Sequence, residues 1–235
     1  MAEQSVGRGA ADRVVFEVKV DWGRPGQRRR YPTEFLSREP LRMAVAAFAT
    51  LNARVQPLDR GDRYEDPLLD ALESGVIANV AGGGSQLLPG GNEIEFCCID
   101  LDIFDLKRGV PLITSILERA GAPKGSYLSY TIDDEPHRIP FGQTYGIAIY
   151  LNGTDLPDTV YKECDVNYMI AEIDRVLDGV GSYQSYWQGP TETGLYVYGS
   201  SRDVMRRLLA DLLETYPLCK RARVVDLPDN IENGG

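Results

Sequence analysis

Asp100 and Asp102 lie two residues apart in "CCIDLDIFD". On a strand they share one face with Cys98 and Phe104, while Ile99, Leu101 and Ile103 make the other. Paired carboxylates can exchange protons or hold a divalent ion, but a half-exposed strand over a core gives the same alternation. Asp155, Asp158 and Glu163 form a second acidic cluster in "LNGTDLPDTVYKECDV", next to a helix start at Val166 that Asp165 is placed to cap. Such a cluster attracts a cationic ligand or a basic protein. It becomes a metal site only if another element adds oxygen ligands, and no metal or other cofactor is expected. Asn152-Gly153 reads as a tight turn needing positive φ, with Pro157 fixing another.

Motifs of bond-making chemistry are missing from the text of the chain. His137 is the sole histidine, in "DDEPHRIPFG", so a nucleophile–histidine pair could form only there, and no serine sits in a nucleophile-elbow sequence. Gly82, Gly83 and Gly84 precede Ser85 but lack the Lys-Ser/Thr and helix start of a phosphate loop. Cys97, Cys98, Cys164 and Cys219 have no metal-ligand spacing and read as packed, reduced thiols. Binding chemistry is better represented. "SYWQGPTETGLYVYG" concentrates Tyr183, Tyr186, Trp187, Tyr196 and Tyr198 on two neighbouring strands with Glu192 at their turn, and rings with polar tips suit either an interface or packing between units.

The elements that must position these residues repeat. "RVVFEVKVDW" (13–22) alternates as a strand, and "EPLRMAVAAFATLNARV" (39–55) offers Leu41, Val45, Phe48 and Leu51 at helical spacing after Pro40, so an additional helix is predicted over 40–55. "DPLLDALESG" is a short helix, "VIANVAGG" and "NEIEFCCIDLDIF" are strands around a glycine-rich turn, "GVPLITSILERAG" is a helix and "SYLSYTI" a strand. The second half runs in the same order: a strand over 145–151, the helix "DVNYMIAEIDRVLDG", strands "SYQSYWQG" and "TGLYVYGS", the helix "SRDVMRRLLADLLETYP" and the strand "RARVVDL". Strand, helix, strand, strand, helix, strand is the split βαβ order. An α+β fold of two tandem ferredoxin-like units with antiparallel sheets is therefore expected, with units at 13–135 and 140–227, His137 between them and frayed ends at 1–12 and 228–235. Each such sheet carries its helices on one side, so its other side needs cover.

The net charge of −10 is unevenly spread: residues 1–61 hold 11 Lys or Arg against 7 Asp or Glu, and residues 62–235 hold 14 against 28. An acidic body disfavours nucleic acid and favours a basic protein or cationic ligand, with the Arg28, Arg29 and Arg30 loop as the local exception. The absence of a signal-like or membrane-spanning apolar run points to a soluble, cytoplasmic protein.

"IAIYLNGTDLPDTVY", "YWQGPTETGLYVYG" and "YPLCKRARVV", spread over residues 140 to 226, resemble an uncharacterised bacterial family associated with immunity proteins of polymorphic toxin systems. The resemblance implies neutralisation of a toxin by direct binding. The expectation is an acidic binding module that occludes a basic toxin or enzyme through Asp155, Asp158, Glu163, Tyr186, Trp187, Glu192, Tyr196 and Tyr198. The alternative is an enzyme or small-molecule binder with a cleft between the units, where Asp100, Asp102 and Tyr198 would converge.

Overall fold

A computed structural model describes residues 43–72 and 76–231. The predicted strand 13–22, the arginine loop at 28–30 and most of the predicted frayed ends fall outside these residues.

The chain opens with a correction. Residues 45–51 form strand β1 (Val45–Leu51), not part of a helix. Ala47, Ala49 and Leu51 are buried while Ala46 and Phe48 are exposed, a period of two that small alanines conceal in the sequence. The short helix expected at "DPLLDALESG" is present as α2 (Asp66–Ala71), and it is preceded by α1 (Pro57–Arg60) and a π-helical turn (Gly61–Glu65). Strand β2 (Ala78–Leu87) contains Gly82, Gly83 and Gly84 within it, and the turn before β3 (Ile94–Ile103) comes later, at Pro89–Gly91. Arg60 explains one glycine: a Cβ at Gly83 would stand 3.0 Å from its buried guanidinium and 2.7 Å from the Cys98 carbonyl oxygen. Helix α3 (Leu106–Arg119) is capped by Asp105, whose side chain accepts from the Arg108 N–H. Strand β4 (Ser126–Ile132) follows.

A second correction concerns "DDEPHRIPFG". Asp133 and Asp134 have φ of 48° and 64°, the left-handed geometry of a tight hairpin, and residues 135–141 return as strand β5 (Glu135–Phe141) along β4. His137 therefore belongs to the first sheet, stacked on Tyr130 at 5.0 Å, and the boundary between units shifts to 142–144. Pro136 and Pro140 lie on this edge strand, where a missing N–H is tolerated.

The second unit runs β6 (Tyr145–Asn152), α4 (Asp158–Glu163), α5 (Val166–Val176), β7 (Gly181–Gln188), β8 (Glu192–Gly199), α6 (Arg202–Thr215), a 3₁₀ turn (Pro217–Cys219) and β9 (Arg223–Asp226). Asp165 caps α5 by accepting from the Asn167 N–H at 2.8 Å, as its position predicts. Gly179, at φ +73°, ends the turn after α5.

The sheets are ordered β2-β3-β1-β4-β5 and β7-β8-β6-β9, and every strand pair within them is antiparallel. Leaving β5 aside, both give second-third-first-fourth. The fold is α+β, two tandem ferredoxin-like units. Ile99, Leu101, Ile103 and Leu128 pack with Ile113 and Leu117 of α3 in the first core, and Ile147, Ile149, Leu195 and Val197 pack with Met169, Ile173, Met205 and Leu209 of α5 and α6 in the second. No helix among the described residues is long and apolar enough to cross a membrane.

Candidate functional site

Strands have two sides, and the helix-free side of each sheet meets a different fate. In the second unit that side carries Ala148, Tyr150, Tyr196 and Tyr198, and all four join the core of the first unit. The end of β1 with its following loop and the β2–β3 turn supply the polar partners. The Tyr198 hydroxyl accepts from the Arg54 N–H at 2.8 Å, and the Tyr150 and Tyr196 hydroxyls donate to Glu93 at 2.5 and 2.8 Å. Arg54 completes the cluster with an ion pair to the same carboxylate oxygen. Burial, and secondly the hydrogen bond to Glu93, push the Tyr150 phenol up to about 12 and the Tyr196 phenol up as well. Both stay protonated donors at neutral pH. Trp187 donates through Nε1 to Asn92 at 2.9 Å and packs edge-on to Tyr150.

This placement corrects part of the sequence expectation. Tyr196 and Tyr198 are 1% and 2% exposed, so they cannot form an outer aromatic face; the need to cover the second sheet has drawn them inside. Trp187 is half-buried at the same junction, whereas the half-buried Tyr186 ring packs on the other side of the sheet against the second unit's core, and only its carbonyl reaches the first unit, accepting from Gln56 Nε2 at 3.1 Å. Glu192 is engaged by Arg223 at 2.7 and 2.9 Å, and this bidentate bond holds its carboxyl below the ordinary glutamate range. Asp155 and Asp158 are exposed in the loop and first turn of α4, with Glu163 at the far end of that helix. The loop itself is organised by Asn152, whose Oδ1 accepts from the Thr154 and Asp155 N–H groups at 3.0 and 2.7 Å. Gly153 is absent from the positive-φ residues; what it answers is the Thr191 carbonyl oxygen, 3.1 Å from where a Cβ would stand.

The predicted cleft of Asp100, Asp102 and Tyr198 does not assemble. Tyr198 is sealed in the junction, whereas Asp100 and Asp102 lie on the helix-free side of the first sheet. That side is the notable surface of the first unit. The register aligns Gly82, Asp100, Phe48, Ser129 and Arg138 in one row across all five strands. Cys98, Asp102, Tyr127 and Ala46 share the same side. Phe48 is 48% exposed in the centre, beside a shallow hollow of about 420 Å³ that Ala46, Ser129 and Thr131 also line. Arg138 lies 3.5 Å over the Tyr127 ring. Gly82 and Gly84 add no side chains, and the partly exposed Asp100 and Cys98 lie over them at that end of the row. Cys98 is no activated nucleophile: burial and then Asp100 raise its thiol above the ordinary value. Phe48 carries no sequence signal of this surface, because its spacing from Val45 and Leu51 also fits a helix. Glu93 and Arg54 escaped it because their partners are contributed by the other unit, far along the chain.

Among the described residues, no three His, Cys, Asp or Glu side chains come together as a metal-binding group. No protein-family model matches the chain, and no curated protein matches it. Among solved structures it is similar to an unknown protein from Galdieria sulphuraria (15% identity, 79% of this chain, 97% of that one, TM-score 0.24). It is also similar to a candidate monooxygenase from Fusobacterium nucleatum (11%, 83% and 96%, TM-score 0.27) and to the first two RRM domains of yeast poly(U)-binding protein (11%, 78% and 99%, TM-score 0.20). Superposition this loose carries no functional argument, and the fold assignment rests on the strand order and pairing above.

Proposed function

We propose that this chain is a binding protein that captures a basic protein partner and works by occlusion, in the manner of an immunity-type inhibitor of a toxin or basic enzyme. The observation that supports the reading is the helix-free side of the first sheet: a five-strand surface, centred on a half-exposed Phe48 flanked by Asp100 and Asp102, with no described residue packed over it as the first unit packs over the second. An exposed phenyl ring beside a shallow depression, with carboxylates on the neighbouring strand, is suited to anchoring a partner. The acidic body, with Asp155, Asp158 and Glu163 on the second unit, would steer a basic protein toward the chain, while ring burial would slow its release.

The test is retention of native-host proteins at low salt on immobilised wild type, Phe48→Ser and Asp100→Asn/Asp102→Asn chains, followed by elution at high salt. A basic protein held by wild type, released by salt and lost from the Phe48→Ser column supports the reading. Identical retention on all three columns, or no basic protein on any, removes it.

A further inference from the structure

A groove of about 790 Å³ runs between the helical sides of the two units, away from the open sheet surface and from the Glu93 cluster. The first unit contributes Asp59, Asp62, Arg63, Ile116 and Arg119; the second contributes Ile170, Asp174, Tyr183 and Gln184. Its volume suits a small molecule, and its walls combine apolar surface with a few polar groups of both charges.

Gln184 is the informative residue. Its side chain is only 5% exposed, and its Oε1 is occupied by the Tyr64 hydroxyl, which donates at 3.1 Å. The amide nitrogen has no hydrogen-bond partner among the described residues. Among the described residues no side-chain polar atom sealed from solvent lacks a partner, so this nitrogen keeps some contact with solvent, and Gln184 is one of the residues lining the groove. A donor held almost wholly inside the protein, with its other end fixed, is poised for an acceptor that the groove must receive.

The charged groups have capacity left. Asp59 accepts from the Ser185 hydroxyl through one oxygen, and Asp174 accepts from the Tyr183 N–H at 2.7 Å through one oxygen. Asp62 is exposed and, among the described residues, makes no ion pair. Arg63 donates to the Tyr183 carbonyl at 3.2 Å and Arg119 to the Ser115 hydroxyl at 3.1 Å, each with guanidinium N–H groups to spare. The exposed Asp62 carboxylate would bind an ammonium group, with Asp59 and Asp174 adding negative charge along the same groove. The Gln184 amide and two guanidiniums would bind a carboxylate, and Ile116 and Ile170 would pack an apolar body.

We infer that the groove is a binding site for a small amino-acid-like zwitterion with an apolar side chain, its carboxylate on the Gln184 amide and the arginines and its ammonium among Asp59, Asp62 and Asp174. This site is independent of the protein-binding reading, since it shares no residue with the open sheet surface.

Isothermal titration of the full chain with L-leucine tests it, with 4-methylpentanoate (no ammonium) and isopentylamine (no carboxylate) as controls. Saturable one-to-one binding of leucine is expected, at least tenfold tighter than either control. Gln184→Leu and Asp62→Asn should each weaken it fivefold or more, while Asp211→Asn, which removes the same charge at an exposed position outside the groove, should leave it unchanged. Asp62 is exposed, so its variant keeps the test valid if Gln184→Leu fails to fold. No leucine binding at millimolar concentration, equal binding of isopentylamine, or unaltered affinity in Asp62→Asn would each overturn the inference.

Discussion

The two sheets share strand order and antiparallel pairing, yet their equivalent sides differ. In the second unit the helix-free side is tyrosine-rich and closed by the first unit; in the first unit the corresponding side carries Phe48, Asp100 and Asp102 and is covered by none of the described residues. The duplicated fold thus sets where the helices go and leaves the opposite sheet surface to be specified by its side chains. Tyrosine suits the closed side because its ring adds apolar area while its hydroxyl satisfies a buried carboxylate or backbone N–H. Mixed carboxylate and phenyl groups suit a side that meets water.

The comparison breaks most severely at Glu93. Glu93→Ala leaves Arg54 and the Tyr150 and Tyr196 hydroxyls without their shared acceptor, and should cost about 3 kcal/mol of stability in urea unfolding, with increased binding of a hydrophobic dye as the junction loosens. On the open side the same experiment should return the opposite pattern. Phe48→Ser should leave stability within about 0.5 kcal/mol while weakening partner capture by roughly tenfold or more.

The pH dependence sharpens the contrast further. Tyr150 keeps its proton to about 12 in the folded chain, against about 10 for an unfolded tyrosine. The stability this provides is complete below the unfolded value and is lost as pH climbs through the folded one, so Tyr150→Phe should flatten the alkaline limb of the stability curve.

The smallest effect is expected from two carboxyls with opposite shifts, Asp59 and Glu192. Burial raises the Asp59 carboxyl above its ordinary value of 3.8, outweighing its hydrogen bond from Ser185, whereas Arg223 lowers Glu192 below 4.5. The Asp59 contribution is therefore full below 3.8 and fades as pH rises through the folded value; the Glu192 contribution is full above 4.5 and fades as pH falls through its folded value. Asp59→Asn and Glu192→Gln should change the acid limb in opposite senses.

The elements with strong local signals were legible from the residues alone. Asp165 capping α5, glycine after α5 and the alternation of Ile99, Leu101 and Ile103 each specify local geometry without help from elsewhere. Strand β1 was not, because Val45, Phe48 and Leu51 also satisfy helical spacing and the alanines between them carry little hydrophobic contrast; its partners Ile99 and Leu128 decide it. Strand β5 was hidden by two prolines and a histidine that resemble a linker. The aromatic cluster was visible as a cluster, but its direction was not, since only the approach of Arg54 and Glu93 from the other unit turns those rings inward. Gln184 lacks any local signal at all: its partner Tyr64 lies 120 residues away.

The prolines of β5 have a consequence beyond the hairpin. A sheet margin recruits another chain by offering amide hydrogens in regular succession, and Pro136 and Pro140 delete two of them on either side of the cationic Arg138. Copies of this protein crowded together should therefore resist lateral zippering along that rim, so the half-exposed Phe48 side of the sheet can face solvent without seeding fibres.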